Sequence, residues 1–375
     1  MGLFFIVLIL AGFGLAMVYS ASAVSALRVF GDSFHFFKKQ MIWFVSGFAT
    51  LMIVQEFDYR RYSRFTLPMI VLSFIFLSMV FLPGIGHSAK GSARWINLGI
   101  MNIQPSELAK IVIVIYLAKV FSTDGERSDG QNHLLRYLIP MAVLAVMFIL
   151  IIMQPDVGTA IDLLCVAVAV MFATGFPLMY LIFLALLSVP AFYLFIYQAK
   201  YRWGRILAFA DPWHHRFGYG YHIVQSFMAF KKGGLLGVGL GLGTIKISRL
   251  PEPHTDFIFA VIAEETGFFG TAAVVLLFLL FFWRGMRIAL DAPDSFGKLL
   301  ASGLTIMVTV QALINIGVVT GALPTTGIPL PFISYGGSSF LTCMFSCGIL
   351  LNISRFGERR QIDTAGVVTD TEEVI

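Results

Sequence analysis

The sequence predicts an all-α integral membrane protein: ten transmembrane helices, with one large extracytoplasmic loop between the seventh and the eighth. Three observations carry this. Of 375 residues, 58% are hydrophobic and only 13% are charged, about half the ~25% charge of soluble domains. The mean hydropathy of +0.85 and the 37 Phe exclude a solvated, disordered chain, as the charge deficit excludes a soluble enzyme. Runs approaching the ~20 apolar residues that a span requires recur near 3–25, 40–56, 65–83, 105–121, 137–154, 156–175, 177–197, 257–284, 299–320 and 339–354.

The first run could imitate a signal peptide, since Ala21-Ser22-Ala23 resembles a cleavage site. No Lys or Arg precedes it, and it exceeds the ~7–15 residues of a signal's apolar region, so a retained first helix is expected. The fourth run is the weakest, because Glu107, Lys110 and Lys119 lie in it; the fifth and sixth are parted by little more than Gln154-Pro155. The connection at about 198–256 carries Trp203, Trp213, many glycines and eight Lys or Arg. Residues 1–354 thus read as a single polytopic domain and 355–375 as a flexible cytoplasmic tail. No period of ~20–50 residues marks a repeat array.

Orientation follows from basic residues at helix ends. With the long loop set aside, 12 Lys or Arg fall on the side of the N-terminus and 6 on the other, which places both termini in the cytoplasm. The outer surface nonetheless carries Lys90, Arg94, Arg202, Arg205, Lys231, Lys232 and Arg249. Two readings stand: a basic, solvated loop, or a site for an anionic partner such as a lipid-linked phosphate. The net charge of +5 comes with no basic run interleaved with aromatics, so nucleic acid is not an expected partner. Cys165, Cys343 and Cys347 lie in apolar runs without the His or carboxylate neighbours of a zinc site, and read as free packing residues.

Ionisable groups at membrane depth are costly and are site candidates by default. Five clusters stand out: Ser88–Trp95 with Gln104–Lys110, Gln154–Thr159, Pro251–Phe257, Glu264–Gly267 and Pro329–Gly337. All but Glu264-Glu265 start at outer ends of spans in this topology. Simpler roles stay open. Glu107 and Lys110, three apart, would share a helix face as an ion pair, and Asp156 and Asp256 would each suit a helix cap. Glu264 lies ~12 Å along one helix from Asp256, too far for a two-carboxylate dyad, and is expected to organise the cavity interior. The glycines at 233, 234, 237, 239, 241 and 243 match neither dinucleotide nor P-loop spacing, and no G-x-S-x-G or H-E-x-x-H occurs.

At these clusters the chain resembles the SEDS family (shape, elongation, division and sporulation), polytopic peptidoglycan glycosyltransferases of the FtsW and RodA types. Pro251-Glu252-Pro253-His254-Thr255-Asp256-Phe257 and Pro331-Phe332-Ile333-Ser334-Tyr335-Gly336-Gly337 are its most specific matches; Ala93-Arg94-Trp95-Ile96, Gln104-Pro105-Ser106-Glu107 and Gln154-Pro155-Asp156-Val157-Gly158-Thr159 follow the family order. Asp211-Pro212-Trp213 and Gly237-Val238-Gly239-Leu240-Gly241 look more like the FtsW type, and Gly327-Ile328-Pro329-Leu330-Pro331 more like the RodA type; the balance favours FtsW.

The resemblance implies a bacterial cytoplasmic-membrane enzyme that polymerises lipid II. It also implies a class B penicillin-binding protein as transpeptidase partner, alongside other divisome or elongasome membrane proteins. In that chemistry a sugar hydroxyl must lose its proton to a positioned base, and Asp256 is the expected one. Lys90, Arg94, Arg202 and Arg205 are candidates for the pyrophosphate. Glu107, Lys110, Asp156, His254, Glu264 and Ser334 are expected to line or organise the cavity. A divalent cation is compatible with a pyrophosphate leaving group, but spacing yields no ligand set. The competing readings are a lipid II flippase and a non-catalytic scaffold for the transpeptidase.

Overall fold

The computed structural model describes residues 2–83, 86–89, 92–97, 102–122, 133–177, 179–180, 182, 186, 200–248 and 253–372. The expected seventh span, 177–197, lies mostly outside them, as do Lys90 and Arg249. In chain order the helices are α1 (Gly2–Phe30), α2 (His35–Val54), α3 (Arg60–Arg64), α4 (Thr66–Met79), α5 (Pro105–Ser122), α6 (His133–Met153), α7 (Val157–Ala173), α8 (Lys200–Ala210), α9 (Tyr221–Gly233), α10 (Ile245–Ser248), α11 (Ile258–Asp291), α12 (Ser295–Val319) and α13 (Gly337–Glu372). The backbone of α13 continues as helix to Glu372, through the residues expected as a tail.

Four helices among the described residues are long and apolar enough to cross a membrane: α1, α11, α12 and Gly337–Gly357 of α13. Thr66–Met79, Tyr137–Met153 and Val157–Ala173 are shorter apolar helices. Phe5, Ile9, Ile42, Val45, Leu67, Val71, Leu276 and Leu279 are exposed, an apolar exterior suited to lipid and not to water.

Helix α5 explains the weak fourth run. It is buried around its whole circumference from Pro105 to Ala118, apart from Leu108, and packs against α4, α7 and α12. A helix at the centre of the bundle meets protein instead of lipid, so polar groups on it can find partners. Gly14 on α1 lets two backbones meet: a Cβ there would stand 2.5 Å from the Ile333 Cα.

One expectation requires correction. The molecule is not wholly helical: β1 (Gly86–Ala89), β2 (Ser92–Asn97) and β3 (Asn102–Ile103) form an antiparallel sheet in the order β1-β2-β3. Its register pairs Gly86 with Ile96 and Ile96 with Ile103. These strands are too short for a reading tuned to long apolar runs. The long connection expected at about 198–256 carries α8, α9 and α10. Helix α9 lies along the first turns of α11, with small residues Ser226, Ala229 and Gly233 buried and the His222 ring stacked on Phe257 at 5.1 Å.

Candidate active site

Asp256 lies two residues before α11 and does not cap it. Phe257 holds the cap position, without a side-chain hydrogen bond, which removes the cap reading for Asp256. The carboxylate is partly exposed, and its Oδ1 accepts a 2.7 Å hydrogen bond from the Thr255 hydroxyl. No cation among the described residues pairs with it.

The backbone around Asp256 is pinned on two sides. Asn315 Nδ2, from the interior of α12, donates to the Asp256 carbonyl at 2.8 Å and to the Ile328 carbonyl at 2.7 Å. Ser334 Oγ donates to the Thr255 carbonyl at 2.6 Å and accepts from Leu330 N at 2.8 Å. Tyr335 N donates to the His254 carbonyl at 2.9 Å. The two most specific sequence segments, 79 positions apart at the Thr255–Ser334 contact, are thereby stitched to one another. His254 is buried with its ring 4.3 Å from Phe36 and 5.4 Å from Tyr335.

The turn before Pro329 completes this region. Gly327, at φ +79°, brings its backbone under the carboxylate, where a Cβ would lie 3.7 Å from Asp256 Oδ2. Arg205 on α8 donates to the Thr325 carbonyl at 3.2 Å, which sets a guanidinium on the same turn. Arg202 is one helical turn away on α8. Gly158, at the start of α7, packs against the Thr326 carbonyl.

Asp156 does cap α7, accepting from Thr159 N at 3.3 Å and Thr159 Oγ1 at 2.9 Å. It also accepts from Gln104 Nε2 at 2.8 Å and pairs with Arg94 at 3.5 Å. Arg94 donates in addition to the Pro155 carbonyl. The cap and the cavity-organising reading therefore coexist in one residue, and Arg94 ties the sheet to α7.

Beneath this layer lies a fully buried charge cluster. Lys110 contacts Glu107 at 3.1 Å, Asp162 at 2.9 Å and Gln311 Oε1 at 2.8 Å. Gln311 Nε2 in turn donates to the Pro329 carbonyl at 3.0 Å and Ser339 Oγ at 2.9 Å. The Glu107–Lys110 ion pair is real, and through Gln311 it supports the segment that carries Ser334.

Glu264 faces neither group. Fully buried, it accepts from Lys232 at 3.0 Å, Thr244 N at 2.8 Å and Ile245 N at 3.2 Å. Among the described residues, no group of three or more His, Cys, Asp or Glu gathers to hold a metal ion.

Sequence reasoning missed Asp162, Thr255, Gln311 and Asn315. Asp162 was open to the same cost-of-burial rule that found Glu107. Gln311 and Asn315, four apart on one face of an apolar helix, are a weaker signal of the same kind.

Residues 1–359 match the family model for FtsW, RodA and SpoVE, described as a cell cycle protein. The chain is 42% identical over 342 residues to the probable peptidoglycan glycosyltransferase FtsW of Geobacter metallireducens, covering 91% of each. It is 41% identical over 352 residues to the stage V sporulation protein E of Bacillus subtilis, covering 94% of this chain and 95% of that one. Among solved structures, it is similar to a chain from work on polymerization and crosslinking by a peptidoglycan synthase complex, with a TM-score of 0.77 and 28% identity over 95% of this chain and 97% of that one. Similar too is the rod shape determining protein RodA of Thermus thermophilus, with a TM-score of 0.69 and 26% identity over 94% and 96%.

Proposed function

Because the chain belongs to the FtsW/RodA/SpoVE family of multi-pass membrane proteins, we propose that it is a peptidoglycan glycosyltransferase that polymerises lipid II, with Asp256 as general base. The observation that carries this is the state of Asp256: a partly exposed carboxylate with no cation partner among the described residues, on a backbone fixed by Asn315 and Ser334. A base must be both accessible and held still.

In the reaction, the C4 hydroxyl of one sugar attacks C1 of another. The C4–O–C1 bond forms as the bond from C1 to the lipid pyrophosphate breaks, in a single inverting displacement. Asp256 takes the hydroxyl proton. Arg205, on the turn beneath Asp256, and Arg202 stabilise the charge that develops on the pyrophosphate, with Lys90 and Arg94 as further candidates. Arg94, Glu107, Lys110 and Asp156 hold the surrounding framework. The described residues do not form a dedicated cage for a divalent cation, and no step is assigned to one.

The ten-span topology, with both termini in the cytoplasm of a bacterium and the Asp256 side outside, agrees with the charge asymmetry of the sequence. Gly2 lies beside Arg284, whereas Ser20 lies beside Glu265, so the basic ends and the Asp256 end of these helices are opposite. A class B penicillin-binding protein is the proposed partner, since a polymerase needs a transpeptidase to crosslink its product; the similarity to a peptidoglycan synthase complex supports it.

The test is incubation of purified protein and partner with purified lipid II. Glycan chains are expected. Movement of lipid II across a vesicle without polymer would identify a transporter, and inertness in both assays would identify a scaffold; either result overturns the proposal.

A further inference from the structure

The stretch from Gly233 to Gly243, expected as part of an outer loop, has a different setting. Helix α9 starts beside Phe257 and ends with Gly233 against the Ala263 carbonyl. The chain then turns at the level of Glu264 to Phe269. Val238 N and Gly239 N donate to the Glu264 and Glu265 carbonyls at 3.0 Å each, while Phe268 N and Phe269 N donate to the Gly234 and Leu235 carbonyls at 2.9 and 3.3 Å. Two glycines make this fit possible. Gly267, at φ +66°, interrupts the helical geometry of α11, and a Cβ on it or on Gly237, at φ +80°, would strike the other segment's backbone.

Depth along α11 is fixed by its regular lower part. Arg284 closes the apolar run, and Phe268 stands about 24 Å above it at ~1.5 Å per residue. That is inside the ~30 Å of a hydrocarbon layer. A second helix agrees, because Gly2 is beside Arg284 and Ser20 beside Glu265, a rise of about 27 Å along α1. At this level Leu235, Leu236, Leu240 and Leu242 are 66, 80, 68 and 68% exposed, beside Phe268 and Phe269. Their surface continues into the exposed Leu276 and Leu279 of α11.

Irregular backbone survives at such depth only if its polar groups are satisfied by protein. Here Glu264 and Glu265 supply acceptors from the outer turns of α11. Glu264 takes the Thr244 and Ile245 amides, and Glu265 takes the Gly241 amide at 3.0 Å. Their charges are balanced by Lys232 and Lys246, and Ser20 bonds to Glu265 at 2.8 and 2.7 Å. The Gly234 and Gly237 amides donate to the Phe230 and Gly233 carbonyls at the end of α9, and the Leu242 amide donates to the Gly239 carbonyl. A loop in water would need none of this, since solvent would serve the amides and would leave four leucines unburied at a cost of about 1.5–3 kcal/mol each.

We propose that residues 234–243 form a re-entrant loop whose leucines are embedded in the acyl chains of the bilayer, with the Glu264–Lys232 and Glu265–Lys246 pairs as its internal, water-replacing base. The continuity with the lipid-facing side of α11 identifies lipid as the occupant. This inference is independent of the reaction assigned above.

The test uses the full chain with Cys165→Ser, carrying a nitroxide on Leu236→Cys or Leu240→Cys, in vesicles of phosphatidylethanolamine and phosphatidylglycerol. Monodisperse elution selects folded protein, and two exposed positions guard against failure of one. At both, collisions with dissolved oxygen should exceed those with a water-soluble nickel chelate several-fold, and a label on His215→Cys should show the reverse. Free access of the chelate to 236 and 240 would overturn the proposal. So would protection from both reagents, which would mean that protein, either a second copy or a transpeptidase, covers the leucines.

Discussion

Asp256 and Asp294 flank the same helix, α11, and the surroundings of the two carboxylates differ in almost every respect. Asp294 caps α12 by accepting from Gly297 N at 2.7 Å, pairs with Arg60 at 3.2 Å and accepts from the Tyr59 hydroxyl. Burial alone would raise its pKa, but these hydrogen bonds hold it below the usual carboxylate value. Burial of its ring and the same contact push the Tyr59 phenol up. Asp256 has a threonine hydroxyl, no cation among the described residues, and a partly exposed carboxylate. The protein fixes Asp256 through its main chain and Asp294 through its side chain. An aspartate whose carboxylate is fully occupied serves the fold, whereas one held by its carbonyl keeps the carboxylate available for chemistry.

The largest effect expected from this contrast is at Asp256. Asp256→Asn should lower lipid II polymerisation by about 10²–10⁴-fold, with unfolding temperature and partner binding unchanged. Near-normal chain synthesis would remove Asp256 from the mechanism and erase the contrast.

Next comes the cluster that supports the site from beneath. Lys110→Met leaves Glu107 and Asp162 buried without their cation, a loss of about 3–5 kcal/mol. Thermal unfolding in detergent should shift down sharply. An unshifted melting curve would show that the buried charges are not mutually dependent.

Asn315→Ala tests whether main-chain anchoring matters in its own right. Two carbonyls lose their donor, which costs about 1–3 kcal/mol of stability. Displacement of Asp256 should lower kcat by about 10-fold to 10²-fold with KM for lipid II little changed. A change in KM alone would place Asn315 in substrate binding instead.

The smallest effect belongs to Asp294. Asn caps a helix about as well as Asp, so Asp294→Asn should cost on the order of 1 kcal/mol or less and leave turnover intact. Its signature is in pH. A lowered folded pKa contributes stability that is present above the ordinary carboxylate pKa of ~3.9 and is lost as pH falls through the folded value. Wild type should therefore lose part of its stability in acid that the variant never had, as read by melting temperature between about pH 6 and pH 3. Parallel curves would mean that the carboxylate's contacts are not retained in solution.

Much of this was legible in the chain. Membrane character followed from composition, because apolar surface without charge has only one stable environment. The site followed from the cost of charge at helix ends, which singled out Asp156, Asp256, Glu107 and Lys110 whatever their partners. What remained hidden was who meets whom. Lys110 and Gln311 are 201 positions apart, and Ser334 and Thr255 are 79 apart; no local pattern encodes such pairs, because each partner is satisfied only when the helices pack. Local rules also left two readings for each aspartate, and the structure answered them differently: Asp156 caps α7 through the amide of Thr159 and also meets Gln104 and Arg94, whereas Asp256 does not cap α11, because Phe257 occupies the cap position. The setting of the glycine-rich stretch was the least legible. Its glycines and leucines specify tight turns and apolar tips, but only the packing of α9 along α11 sets their depth, and depth decides whether an exposed leucine meets water or lipid.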